Sequence, residues 1–86
     1  MAQVTIYTKP FCPFCIRAVS LLEKKGVAFD EISAAFDAEK KAEMLERSGG
    51  RATYPQIFIG DTHVGGSDDI HELDRRGQLD PLLQVQ

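Results

Sequence analysis

The hydrophobic and polar residues near the start of the chain follow two different periods. Residues 3–8 alternate and are rich in β-branched and aromatic side chains, which predicts a first strand, placed centrally in a sheet. In the next run, apolar side chains recur at the spacing of one helical face, at Cys15, Ala18, Val19 and Leu22. Pro13 suits the first turn of this helix, because its missing N–H would have no partner there, and Gly26 suits its end.

A second strand and a second helix follow. Residues 27–32 have the composition of a strand, and because a helical crossover precedes them, this strand should run parallel to the first. Asp37 is a suitable N-cap for a helix over residues 38–47. The apolar residues of that helix that are expected to face inward are Ala38, Ala42 and Leu45.

The sequence pattern in the last part of the chain predicts a hairpin and a third helix. Residues 56–59 and residues 62–64 are strand-like and are joined by a tight Gly-Asp turn. Ser67 is a suitable N-cap for the third helix, which should end near Gly77, and Asp80 before a proline suggests a short closing turn. The predicted order is β-α-β-α-β-β-α, which is an α/β fold.

The composition is typical of one small globular domain over residues 1–86. The chain has 86 residues, of which 43% are hydrophobic, and a net charge of −3 at pH 7. This charge does not favour nucleic-acid binding, which usually shows as clustered basic residues. No apolar run approaches the roughly 20 residues of a membrane-crossing helix, and no secretory signal is visible. We therefore expect a cytoplasmic protein, monomeric and without membrane or nucleic-acid partners.

Both cysteines lie in one motif, Cys12-Pro-Phe-Cys15, at the predicted turn from the first strand to the first helix. Such a Cys-x-x-Cys motif is typical of a thiol–disulfide redox site. Cys12 would lie at the helix N-terminus, where unpaired N–H groups stabilise a thiolate, and Lys9 would add a positive charge. Cys15 would lie one turn further, on the inward face and less exposed. We predict Cys12 as the accessible nucleophile and Cys15 as the resolving thiol; the alternative is two buried, unreactive cysteines.

The two histidines, together with the two cysteines, could in principle form a zinc site. His63 and His71 are further apart than the paired histidines of zinc fingers, and Cys15 is distant in sequence. We therefore expect no metal and predict that both histidines lie at the surface.

Three motifs in the same order and spacing resemble those of a known family. They are Cys-Pro-Phe-Cys after Tyr-Thr-Lys, then Thr-Tyr-Pro-Gln-Ile-Phe-Ile, then Gly-Gly-Ser-Asp-Asp. Together they are similar to the motifs of the dithiol glutaredoxins of bacteria, and the resemblance extends over nearly the whole chain. It implies a thioredoxin fold, in which a four-stranded mixed sheet is flanked by three helices. It also implies an oxidoreductase that uses glutathione to reduce glutathionylated and disulfide-containing proteins.

The same resemblance implies a glutathione site. Its residues would be Lys9, Phe14, Thr53, Tyr54, Pro55, Gly66, Ser67 and Asp68. Pro55 would be a cis-proline that leaves the backbone of Tyr54 free to pair with glutathione. The glycine turn before the third helix would bind the γ-glutamyl carboxylate, and Asp68 would receive the ammonium group. Lys9 would bind the glycine carboxylate; Lys41 matches a family position only if one extra loop residue is allowed.

The chain also departs from the family pattern. Phe14 stands in place of a tyrosine, and Tyr54 in place of the usual valine beside the cis-proline. Ser67 stands where close relatives often have a third cysteine, and Gly49-Gly50 lengthens the preceding loop. The changes at Tyr54 and in the loop bear on substrate preference and not on the reaction.

Two other functions stay open. Some glutaredoxins hold an iron–sulfur cluster between two subunits through the first cysteine and glutathione, although such proteins more often lack a proline at the position of Pro13. A thioredoxin-like donor that is reduced by a flavoenzyme is the second alternative, although no tryptophan precedes Cys12. The family also includes donors to ribonucleotide reductase, and nothing in the sequence selects that partner.

Overall fold

The computed structural model describes residues 3–83. The strands are β1 (Val4–Thr8), β2 (Phe29–Ser33), β3 (Gln56–Ile59) and β4 (Thr62–Gly65). The helices are α1 (Pro13–Lys24), α2 (Ala38–Arg47), α3 (Ser67–Arg75) and α4 (Leu79–Leu83). The four strands form one mixed sheet in the order β2-β1-β3-β4.

The sheet topology brings two distant chain segments to one edge. β1 is central, runs parallel to β2 and pairs antiparallel with β3, and β3 and β4 form a hairpin, as predicted. Tyr7, near the end of β1, pairs with Gln56, the first residue of β3. The segment that follows β1 and the segment that precedes β3 therefore meet at this edge. The Cys-x-x-Cys motif lies in the first segment and Pro55 in the second.

Each face of the sheet carries its own apolar cluster. The larger cluster packs α1, α3 and α4 against one face and contains Val4, Ile6, Ala18, Leu21, Leu22, Ile57, Ile59, Ile70, Leu79 and Leu83. The smaller cluster, beneath α2, contains Tyr7, Ala34, Met44 and Phe58. Burial of these side chains is the main favourable term for holding the helices on the sheet.

The buried face of α2 differs from the prediction. Met44 is completely buried, Leu45 is half-buried, and Ala38 and Ala42 are exposed. The long, flexible side chain of Met44 reaches the aromatic cluster on the sheet, which the short side chain of Ala42 cannot do. The prediction was wrong for Ala38 and Ala42, because helical spacing alone does not show which of two adjacent apolar stripes meets the sheet.

The C-terminal part also differs in detail. The N-cap of α3 is Gly66, so Ser67 begins the helix instead of preceding it. The predicted closing turn is a fourth helical segment, and Asp80 lies inside it. None of the helices within residues 3–83 has the length and apolar character needed to cross a membrane.

Candidate functional site

Cys12 lies immediately before α1, so its side chain is at the helix N-terminus. Its backbone is extended (φ −103°, ψ 107°), the usual conformation of an N-cap, and Pro13 is the first helical residue, as predicted. The backbone N–H of Cys15 donates to the Cys12 sulfur across 3.4 Å. The sulfur therefore takes the place of the oxygen acceptor in an ordinary N-cap.

The two thiols have pKa values on opposite sides of the ordinary value. Burial raises the pKa of Cys12, but hydrogen bonds from the Cys15 thiol and from the N–H groups of Cys15 and Phe14 outweigh it. With the charge of Lys9, these contacts lower the pKa of Cys12. Burial and the contact with Cys12 raise the pKa of the Cys15 thiol to about 12. Near neutral pH, Cys12 is therefore the more readily ionised of the two thiols.

The exposure of the two cysteines differs from the prediction. Cys12 is 4% exposed and Cys15 is 3% exposed, so the expected contrast in accessibility is absent. The reason lies in the N-cap geometry, because a sulfur that accepts from the Cys15 N–H points back toward the first turn of α1. Both side chains line a recess of about 540 Å³, which also has Lys9 and Glu31 in its wall.

A second cavity, a cleft of about 280 Å³, collects most of the predicted glutathione residues. Its lining consists of Phe14, Arg51, Thr53, Tyr54, Pro55, Gly66, Ser67, Asp68 and Asp69. The Tyr54–Pro55 peptide bond is cis, as the family resemblance implies. Of the predicted glutathione residues, only Lys9 lies outside this cleft.

Lys9 lies between the two cavities. It lines the recess around Cys12, and its ammonium group is 5.9 Å from the centre of the Tyr54 ring, which lines the cleft. An aromatic ring attracts a cation at this distance. Lys41 is exposed on α2 and lines neither cavity, so the structure does not bring it to the site.

The start of α3 forms one wall of the cleft. The Gly66 N–H donates to the Asp69 carboxylate across 2.8 Å. Gly65 has a φ of 116°, and a Cβ at this position would lie 2.3 Å from that carboxylate, so only glycine fits. Asp69 thus occupies one donor at the helix start. The N–H groups of Ser67 and Asp68 have no acceptor within a helix at these positions and suit a carboxylate ligand.

The sequence-based interpretation missed Arg51 and Asp69. Both line the cleft, and their side chains are 3.7 Å apart. Each is about half exposed, so the ion pair contributes little to stability and the Arg51 guanidinium remains accessible to an anionic ligand. The available signal was a basic residue two positions before Thr53, but a loop arginine has no periodicity that distinguishes it from an ordinary surface charge.

The histidines were predicted at the surface, and both are half-buried. His63 stacks on Phe58 and shares a 2.7 Å hydrogen bond with the buried side chain of Gln56, whose amide N–H₂ donates to Thr53 at the cleft. Burial and the nearby Arg51 lower the pKa of His63.

Among residues 3–83, no group of three or more His, Cys, Asp or Glu side chains is arranged to hold a metal ion.

Comparison with known proteins agrees with this geometry. The glutaredoxin family profile matches residues 4–64. Glutaredoxin 3 of Escherichia coli K12 is 56% identical over 84 residues, which cover 98% of this chain and 100% of that protein.

Two solved structures have the same fold. The solution structure of glutaredoxin from Brucella melitensis is 55% identical, with a TM-score of 0.84 over 99% of this chain and 91% of that one. The crystal structure of a buckwheat glutaredoxin–glutathione complex is 29% identical, with a TM-score of 0.84 over 96% of this chain and 77% of that one. The mixed four-stranded sheet of this protein, with its flanking helices, therefore has the thioredoxin fold. The chain belongs to the glutaredoxin family of thiol–disulfide oxidoreductases.

Proposed function

We propose that this protein uses glutathione to reduce glutathionylated proteins and protein disulfides, with Cys12 as the nucleophile and Cys15 as the resolving thiol. The observation that carries the proposal is the position of Cys12 as the N-cap of α1, where the Cys15 N–H donates to its sulfur and the pKa of Cys12 is lowered. A thiol that ionises more readily than its neighbour attacks a disulfide first. Membership of the glutaredoxin family supports the same class of reaction.

For a protein–glutathione mixed disulfide, the Cys12 thiolate attacks the glutathione sulfur. A bond forms between Cys12 and glutathione, and the protein sulfur leaves as a thiolate that takes up a proton. A second glutathione, as its thiolate, then attacks the glutathione sulfur on Cys12. This step releases oxidised glutathione and restores the Cys12 thiolate, so one disulfide is reduced and one is formed.

For a protein disulfide, the resolving thiol is also needed. The Cys12 thiolate attacks one sulfur of the partner, and the other partner sulfur leaves and is protonated. Cys15 then loses its proton and attacks the Cys12 sulfur, which frees the partner dithiol and forms the Cys12–Cys15 disulfide. Two glutathione molecules reduce that disulfide and become oxidised glutathione. The raised pKa of Cys15 supports this division, because a protonated thiol does not compete for the first attack.

The cleft offers complementary groups for glutathione. The backbone of Tyr54, before the cis-proline, suits strand-like pairing with an extended peptide. The start of α3 suits the γ-glutamyl carboxylate, and Asp68 suits the ammonium group. Lys9 and Arg51 supply positive charge for the glycine carboxylate. The buckwheat relative of known structure was solved as a complex with glutathione, which supports glutathione as the ligand.

The test is turnover of the mixed disulfide of glutathione and 2-mercaptoethanol, coupled to glutathione reductase. We expect Cys12→Ser to abolish turnover and Cys15→Ser to retain it. With a protein disulfide as substrate, both variants should lose most activity. Retained activity in Cys12→Ser would overturn the assignment of the nucleophile. An inactive parent protein that thioredoxin reductase can reduce would move the chain to the thioredoxin-like alternative.

A further inference from the structure

Phe11, immediately before the nucleophile, combines two unfavourable features. Its side chain is 99% exposed, and it belongs to neither apolar cluster of the described residues. Its backbone has a φ of 57°, the left-handed region in which a bulky side chain is unfavourable. It is the one non-glycine residue with a positive φ within residues 3–83. Phe11 therefore adds nothing to packing in the free protein and strains the backbone.

Phe11 lies on the recess that holds both cysteines and not on the proposed glutathione cleft. Ile16, one residue after Cys15, lines the same recess and is 65% exposed. Two apolar side chains thus stand in water beside the reactive sulfur. We call Phe11 and Ile16 the apolar rim.

The reaction determines what can cover this rim. During reduction of a protein disulfide, the partner cysteine is bonded to the Cys12 sulfur, so the partner residues beside that cysteine must cross the wall of the recess. The cleft proposed for glutathione is lined by other residues. The occupant that fits the rim is therefore the partner polypeptide, and apolar partner side chains would gain free energy by covering Phe11 and Ile16.

We propose that the apolar rim selects protein substrates that carry apolar side chains next to the reactive disulfide. This inference rests on the proposed function and adds the class of protein substrate to it. The strained backbone at Phe11 holds the ring outward, where the bound partner covers it.

The experiment compares two synthetic cyclic peptides, each closed by one disulfide. They are identical except that leucine and phenylalanine flank the cysteines in one and serine flanks them in the other. The parent should prefer the apolar peptide. Phe11→Asn and, independently, Ile16→Ser should each lower kcat/KM for the apolar peptide by about fivefold, as expected for the loss of part of one apolar contact. Turnover of the serine peptide and of the small mixed disulfide should change by less than about twofold.

The matched control is Phe36→Asn, because Phe36 is also 90% exposed but lines neither cavity. It should leave the preference for the apolar peptide unchanged. Phe11→Asn should also raise Tm by about 4 °C, because asparagine tolerates the left-handed backbone.

Equal losses on both peptides, no loss on either, or the same loss in Phe36→Asn would overturn the inference while leaving the proposed function intact. Parent protein that reduces neither the peptides nor the small mixed disulfide would overturn the proposed function as well.

Discussion

At the scale of single residues, two identical thiols acquire different chemistry from their positions on one helix. Cys12 and Cys15 are both buried, so burial raises the pKa of each. Only Cys12, as the N-cap, receives hydrogen bonds from the N–H groups of the first turn. The charge of Lys9 lowers the pKa of both thiols, so the hydrogen bonds at the helix start decide which sulfur ionises, and a difference in exposure does not.

The reaction of Cys12 with iodoacetamide should therefore depend on pH with a midpoint below that of an ordinary thiol. The sign follows from the lowered pKa, because the thiolate fraction at a given pH rises as the pKa falls. Lys9→Gln should move the midpoint upward by about 0.5 pH units, since it removes one favourable charge. Alkylation rates of Cys15→Ser proteins across a pH series would measure this.

Lys41→Gln is the matched control for that measurement, because Lys41 is an exposed lysine that lines neither cavity. Its midpoint should equal that of the parent. An unchanged midpoint in Lys9→Gln would mean that the Lys9 charge does not act on the thiolate.

At the scale of elements, α2 shows how tertiary contact selects one face of a helix. Asp37 caps it through hydrogen bonds from the N–H groups of Glu39 and Lys40, which depends on local sequence alone. Its packing depends on the sheet, where Met44 joins Tyr7 and Phe58. Arg47 stacks over Phe58 at 4.3 Å and donates to the Tyr7 hydroxyl. The buried stripe of α2 thus follows the aromatic side chains opposite it.

Met44→Ala should lower the free energy of unfolding by about 3 kcal/mol, because it opens a cavity under α2. Leu45→Ala should cost about 1 kcal/mol, since Leu45 is only half-buried. Urea unfolding of both variants beside the parent gives the two values. A larger cost for Leu45 than for Met44 would favour the face that the sequence pattern predicts.

At the scale of the whole molecule, one lysine joins three helices at the end of α1 opposite to Cys12. Lys25, the C-cap of α1, is 2.6 Å from Asp74 of α3 and 2.9 Å from Asp80 of α4. Hydrogen bonds to Asp74 and then Asp80 raise the pKa of Lys25. The stabilisation is therefore complete below the ordinary pKa of lysine and is lost as the pH rises through the raised value.

Lys25→Gln should lower Tm at neutral pH in low-salt buffer. The difference from the parent should shrink in molar sodium chloride, which screens partly exposed charges. Lys24→Gln is the control, because Lys24 forms no ion pair with any described residue and should show a smaller, salt-independent change. If Lys25→Gln lowers Tm by the same amount in low-salt buffer and in molar sodium chloride, the electrostatic explanation is contradicted.

The local features of this protein were predictable from its sequence. The order of the main elements, the Pro13 start of α1, the bounds and cap of α2 and the parallel β1–β2 pair all agree with the structure. Caps, prolines and glycine stops act over a few residues, so their effects can be deduced from short segments. The Cys-x-x-Cys motif and the other two motifs of the family resemblance each span only a few residues. The thiol–disulfide chemistry could therefore also be deduced from short segments.

The rest required the tertiary structure, because it depends on residues that are far apart in the chain. The buried face of α2 depends on Tyr7 in β1 and Phe58 in β3. The cleft forms only when the loop before β3 meets the start of α3, which brings Arg51 to Asp69. Sequence by itself thus determined the elements and the reactive motif. The packing of those elements decided which side chains surround the motif, since burial and charge are set by neighbours in space.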